Sequence, residues 1–267
     1  MADSSRLSRM NAIAHELFHL PLTFCAPVIF GLHPREVGLV AARVHTATAT
    51  YIDLAGPKGV INWHVLEAYR RELAADQRVR FQLLDVTLNP YERLVAVNET
   101  TDLAVLDLSG LTVELERGVN IRPLLAYNPL IWPPDPAVAV GDVLTVGGYP
   151  ESLRTGDETD PEVIHHASFS YAGLVVSDVY EDRFYAKVSV DRVSVTEGRE
   201  GDAQAALANF SGLSGSPAFR DRGALGVLNP FSLVGIVYGW DHLGKRLQFS
   251  SVANIKRDGT LWMNTKR

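Results

Sequence analysis

A serine held between glycines and closed by a proline, Gly212-Leu213-Ser214-Gly215-Ser216-Pro217, is the stretch of this chain with the clearest chemical content. Glycine admits close backbone approach and backbone angles that other residues avoid, while Pro217 fixes the exit and removes a donor. Such a loop can hold one hydroxyl outward, with backbone N–H groups turned to the same point. That arrangement suits a nucleophile whose oxyanion product is stabilised by fixed donors. The hexapeptide alone is equally compatible with a Ser/Gly surface turn. What decides between the two is whether the chain also supplies a histidine base and a buried carboxylate.

Both residue types occur upstream. His64 lies in Val60-Ile61-Asn62-Trp63-His64-Val65-Leu66, after a strand and a turn. Asp102 opens Thr101-Asp102-Leu103-Ala104-Val105-Leu106, an acid set against an otherwise apolar strand. Taken singly, His64 is readable as a satisfied histidine at a helix start and Asp102 as a strand-end turn residue. Together with Ser214, in the order His, Asp, Ser, they form a constellation for nucleophilic catalysis. A second motif competes. His15-Glu16-Leu17-Phe18-His19 matches the HExxH pattern, in which two histidines one turn apart share a zinc ion and the glutamate acts as base. No other motif supplies a third protein ligand. The stretch therefore reads as an amphipathic helix docked on the body of the protein, and neither metal nor cofactor is expected.

The elements that must position these residues are mostly strands. Residues 4–19 have the apolar spacing of a helix, which Pro21 ends. Strands follow at 46–54, 80–86, 94–98 and 103–108; between the first two, a short helix follows Asn62-Trp63-His64-Val65-Leu66 and runs through about Leu73. Leu130-Ile131-Trp132-Pro133-Pro134-Asp135-Pro136 is the best linker, since prolines this dense forbid helix and central strand alike. A second set of strands occupies 143–149, 167–177, 183–190, 216–219, 233–239 and 247–251, and a short helix is expected from Val252. Two loops stand out. Glu151 to Glu162 carries five carboxylates and reads as solvated, and Glu197-Gly198-Arg199-Glu200-Gly201-Asp202 is polar and glycine-rich just before the serine.

Composition bounds the function. The 267 residues, 46% hydrophobic and 21% charged, are those of an ordinary globular protein. A formal charge of −6 and the lack of a basic run argue against nucleic acid as a partner. Cys25 is the single cysteine, so no internal disulfide is available. Glu16, His19 and Pro21 interrupt the N-terminal apolar stretch, and no apolar run reaches membrane-spanning length. The expectation is a cytoplasmic protein with no membrane association.

On the motifs Asn62-Trp63-His64-Val65, Thr101-Asp102-Leu103-Ala104-Val105-Leu106, Val146-Gly147-Gly148-Tyr149-Pro150 and Gly212-Leu213-Ser214-Gly215-Ser216-Pro217, the chain resembles the chymotrypsin/trypsin-like serine peptidases. Gly235-Ile236-Val237-Tyr238-Gly239 fits the strand that lines the substrate cleft in that family. The likeness is to the disulfide-free bacterial branch, which includes the high-temperature-requirement type, and it runs from about residue 25 to the end, with no stretch left for a PDZ module. It implies an all-β fold: a double six-stranded antiparallel β-barrel with an N-terminal helical extension (1–24), a first barrel (25–130) carrying His64 and Asp102, a second barrel (131–267) carrying Ser214, and a short C-terminal helix. It further implies a catalytic triad of His64, Asp102 and Ser214, with the backbone N–H groups of Gly212 and Ser214 as the oxyanion hole.

Departures from the family pattern carry information too. Leu213 stands where digestive-type members have an aspartate that pairs with a newly cut N-terminus, so that means of activation is missing. Control would fall to loop ordering or to a protein activator or regulator. Ala208, six residues before the serine, places no charge at the expected pocket base, which argues against cleavage after Lys or Arg. Tyr238, Gly239 and Trp240 occupy the cleft strand, and Trp240 either narrows the pocket or packs elsewhere. The resulting expectation is a serine endopeptidase acting on polypeptides through an acyl-enzyme. The alternative is a protease-like binding or regulatory module with little or no turnover.

Overall fold

The computed structural model describes residues 20–37, 43–111, 137–156, 164–188, 194–195, 210–221 and 231–262. The expected helix at 4–19 with its HExxH motif, the 130–136 linker, most of the acidic loop, the polar loop at 197–202, and Ala208 lie outside these residues.

Two antiparallel sheets of seven strands make up the fold. The first contains β1 (Cys25–Leu32), β2 (Arg43–Asp53), β3 (Pro57–Asn62), β4 (Arg80–Leu83), β5 (Val86–Thr87), β6 (Leu94–Asn98) and β7 (Leu103–Asp107). Its order is β5-β4-β1-β2-β3-β7-β6, a half-barrel open between its two ends. The helix Trp63–Ala75 packs on it through Val65, Leu66 and Tyr69.

The second half supplies β8 (Val143–Gly148), β9 (Arg154–Gly156), β10 (Ile164–His166), β11 (Phe169–Val179), β12 (Arg183–Lys187), β13 (Ser194–Val195), β14 (Pro217–Asp221), β15 (Phe231–Asp241) and β16 (Arg246–Ser251). Strands β9 and β10 form a separate hairpin. The others run β12-β16-β15-β14-β8-β11-β13, and β12 also pairs with β11. Six strands thus close on themselves as a barrel. The architecture is all-β, in keeping with the expected trypsin-like double barrel, and ends in a single helical turn at Val252–Asn254. Of the N-terminal extension, Leu20–Phe24 is a 3₁₀ segment whose Pro21 and Leu22 lie where a side chain on Gly147 would have no room.

Three apolar clusters hold these layers. One lies inside the first sheet and one inside the closed barrel. The third joins them: Ile52, Leu54, Val60, Leu103 and Val105 from the first sheet meet Phe219, Leu233 and Ile236 from the second. Strand β2 shows why both sides of one strand can be buried. Successive side chains point to opposite faces. Ala47, Ala49 and Tyr51 enter the first core, while Thr46, Thr48 and Thr50, also buried, belong to none of the three apolar clusters. The hydroxyls of Thr48 and Thr50 bond across to the loop that carries Ser214.

Candidate active site

His64 is set by the start of a helix. Strand β3 ends at Asn62 and the helix begins at Trp63, so His64 sits in the first turn, where backbone N–H groups lack intrahelical partners. Asn62, at the N-cap, makes no side-chain cap bond. Asp102 takes that task from across the sheet. Its carbonyl accepts from Trp63 N (3.2 Å) and from Asn62 Nδ2 (2.9 Å), and its Oδ1 accepts from His64 N (2.8 Å). The second carboxylate oxygen, Oδ2, lies 2.5 Å from His64 Nδ1. One carboxylate therefore caps the helix and orients the imidazole, in a position where negative charge is favoured by the helix dipole.

The backbone of Asp102 is bent to reach. Its φ is +53°, in the left-handed region that aspartate tolerates better than most residues. The register Asn62↔Leu103 between β3 and β7 brings it beside the helix start. The turn that precedes it is tied to the second barrel, since Ser250 Oγ donates to Thr101 O and Arg183 Nη2 donates to Thr100 O (3.2 Å). The His64 side chain is 48% exposed and that of Asp102 20%, so the pair opens to solvent on the imidazole side.

Ser214 comes from the barrel. Leu213 is fully buried in the barrel core and anchors the loop where an acid would have been required to find a partner. Gly212 and Gly215 have φ of +93° and +94°. A side chain on Gly212 would collide with Tyr149 and Glu151 backbone, and one on Gly215 with the Thr48 carbonyl. Gly148 leaves room for Ser216 Oγ in the same way. These contacts explain why two glycine motifs far apart in the chain occur together.

The peptide planes of this loop fix where its donors point. Ser211 O accepts from Glu151 N (2.7 Å), and Leu213 O accepts from Ser216 N (2.9 Å). In a trans peptide the N–H is opposed to the preceding C=O. The N–H groups of Gly212 and Ser214 therefore turn away from those partners, and neither donates to an acceptor among the described residues. Ser214 O accepts from Thr48 N (2.8 Å), which ties the loop to the first sheet. The Ser214 hydroxyl makes no hydrogen bond to a described residue. His64 and Asp102 are thus bonded to each other, and Ser214, on a loop of the second half, makes no bond to His64.

The expected pocket residues separate. Trp240 packs against Phe210, with ring centroids 4.5 Å apart and the planes tilted, at the entrance to the Ser214 loop, and its Nε1 donates to His242 Nδ1 (2.9 Å). Gly239 lies against Gln248. Tyr238 is engaged with Tyr185 and Arg183, and burial followed by the Tyr185 contact raises its phenol well above its ordinary value. Sequence reasoning misses Phe210, Thr48, Thr50 and Glu151. Glu151, part-exposed at the start of the acidic loop, has partners: its Oε2 accepts from Ser211 Oγ (2.8 Å), and its Oε1 lies 3.5 Å from Arg154 Nη1.

The Cys25 thiol is fully buried, donates to Gly147 O (3.6 Å), and is pushed far above its usual range by burial, which keeps it from acting as a thiolate. Among the described residues, no group of three or more His, Cys, Asp and Glu is placed to hold a metal ion. Nor is any helix among them long and apolar enough to cross a membrane.

No protein-family model matches the sequence, and no curated protein matches it. Among solved structures, the chain is similar to a Glu endopeptidase (12% identity, TM-score 0.41, covering 84% of this chain and 83% of that one). It is also similar to the tobacco vein mottling virus protease (10% identity, TM-score 0.41, covering 92% and 93%).

Proposed function

We propose that this chain is a serine endopeptidase, with Ser214 as nucleophile, His64 as general base and acid, and Asp102 as the residue that orients His64. The observation that carries the reading is the Asp102 carboxylate, which holds both the backbone N–H and Nδ1 of His64. A carboxylate oxygen at Nδ1 assigns the proton to that nitrogen, which leaves Nε2 as the base. In the proposed reaction Ser214 Oγ attacks the peptide carbonyl and His64 Nε2 takes its proton. The same proton then goes to the leaving amine as the acyl-enzyme forms, and water repeats the sequence to release the acid. The N–H groups of Gly212 and Ser214 would stabilise the oxyanion, each worth about 10²–10³ in rate. The lack of a bond between Ser214 and His64 is compatible with a free enzyme, because catalytic hydrogen bonds often form only once substrate is bound.

The substrate in this reading is a polypeptide cut after small or apolar side chains, because the Phe210–Trp240 pair places aromatic rings beside the nucleophile loop. A single buried thiol and no disulfide among the described residues suit a reducing, cytoplasmic setting and the disulfide-free branch of the family. A second reading, a protease-like binding or regulatory module, draws on the same aromatic pair and on the unbonded Ser214 hydroxyl. A fluorophosphonate probe separates the two. The peptidase reading expects covalent labelling that disappears in Ser214→Ala and is lost or much slowed in His64→Ala. A wild-type protein that stays unlabelled, with or without candidate protein activators, would speak for the module.

A further inference from the structure

The loop that carries Ser214 is built from residues with unusual backbone freedom, yet it must present two N–H groups in one direction. Rotating the Ser211–Gly212 peptide by half a turn would aim a carbonyl at the place where an oxyanion forms. Leu213 excludes the acid that would otherwise pin this loop from inside. Something else has to hold it.

Two grips on the loop are visible, from opposite sides. From the first sheet, Thr48 Oγ1 donates to Gly212 O (2.8 Å) and accepts from Tyr149 N (3.1 Å), while Thr48 N donates to Ser214 O (2.8 Å). Its neighbour on the same face, Thr50, donates to Gly215 O (2.6 Å). From the barrel, Glu151 N donates to Ser211 O (2.7 Å) and Glu151 Oε2 accepts from Ser211 Oγ (2.8 Å). Arg154 stands 3.5 Å from Glu151 Oε1 and donates to Val44 O, which joins this second grip to β2 as well. The carbonyls of residues 211, 212, 214 and 215 are all taken up by these partners. A held carbonyl turns the N–H of the next residue to the opposite side, so the bond from Glu151 N to Ser211 O sets the Gly212 N–H directly. The bonds from Thr48 to Gly212 O and Ser214 O fix the peptides on either side of the one that carries the Ser214 N–H, whose own carbonyl, Leu213 O, accepts from Ser216 N.

We infer that Thr48 and Glu151 are positioning residues that hold the 211–215 loop with the Gly212 and Ser214 N–H groups turned toward the reaction centre. The inference rests on the peptidase reading. It accounts for how a chain with Leu213 before its nucleophile keeps a formed oxyanion site without a cut N-terminus. It also gives two buried threonines of β2 a purpose: the hydroxyls of Thr48 and Thr50 supply donors to the loop across the seam.

The test compares wild type with T48V, T48S and E151A, using a fluorophosphonate and p-nitrophenyl acetate as probes, with thermal melting alongside. Valine keeps the shape of threonine but leaves Gly212 O and Tyr149 N without a partner. T48V is expected to lower kcat and the labelling rate at least about 30-fold, with KM within about twofold, because donors aimed at the transition state act on the chemical step. T48S, which keeps the hydroxyl, should recover the rate to within about threefold of wild type, and E151A should lose about five- to tenfold. Wild-type rates in folded T48V, a T48S as slow as T48V, or a loss confined to KM would overturn the inference. Should T48V fail to fold, E151A at its part-exposed position decides: labelling at the wild-type rate overturns the clamp. Wild-type protein unlabelled at Ser214 sinks the peptidase reading, and the clamp with it.

Discussion

Asp102 serves two structures at once, and its two duties can be separated by substitution. Asparagine keeps an oxygen able to accept from His64 N, so the helix cap survives, but its amide no longer acts as a pure acceptor toward Nδ1. Asp102→Asn should therefore melt within a degree or two of wild type while losing activity by about 10⁴-fold. Asp102→Ala should lose activity to a similar degree and also about 1–2 kcal/mol of stability, the usual cost of an absent cap. Equal melting temperatures for the two variants would show that the cap contributes nothing. Motif reading does not reach a second histidine, His166, whose ring nitrogens are both buried and without a partner among the described residues. Burial first, then the charges of Arg154 and His165, lower its pKa from 6.5 to about 4. Between those values the unfolded chain takes up a proton that the folded chain refuses. Stability should thus decline as pH falls from about 6.5 toward about 4 and be free of this loss above that range. Denaturant titrations of wild type and His166→Gln across that interval check the sign: the variant should show the shallower decline.

At the scale of elements, β2 and β15 do the most to shape the site. Strand β15 runs past the Ser214 loop, with Val237 bonded to Gly215 and Ser216, before reaching Trp240. Replacing Trp240 by alanine removes the ring that covers Phe210 and should shift cleavage toward larger apolar side chains, as read by mass-spectrometric profiling of peptide products. An unchanged preference would place the side-chain pocket elsewhere. The His64–Asp102 pair and the loop glycines stand out in the sequence because a bonded imidazole and carboxylate, and tight backbone approaches, need particular residue types at particular places. Strand β1 is not, since Cys25 to Gly31 is buried on both faces and shows no alternation to read. The task of Thr48 is hidden for the opposite reason. The alternation of threonine with alanine in β2 announces a two-faced strand, but a sequence does not say what the polar face meets. The partner of Glu151 is not legible in the sequence either, because Ser211 lies sixty residues away.

For the whole molecule, the seam between the sheets is the decisive feature. The all-β character can be read from strand spacing, but the closure of one sheet and the openness of the other depend on pairings such as β11 with β12 that no local pattern encodes. The third apolar cluster makes the halves one body. Phe219 is fully buried in it and meets Phe24 of the N-terminal segment at 5.7 Å between ring centroids. Phe219→Ala should cost about 3–5 kcal/mol, as expected for truncating a large aromatic side chain in a core. Activity should fall with the folded fraction, not ahead of it. A variant that melts normally but has lost activity would mean that the seam adjusts the site instead of simply holding it.

The bond from Thr48 to Ser214 also has a bearing on timing. The nucleophile loop receives its shape from a strand synthesised far earlier in the chain, and only after the two halves have docked. On the proposed chemistry, a nascent or half-assembled chain has no working scissors. The ability to cut arrives with the last step of assembly, which protects both the chain itself and its neighbours while they are still unfolded.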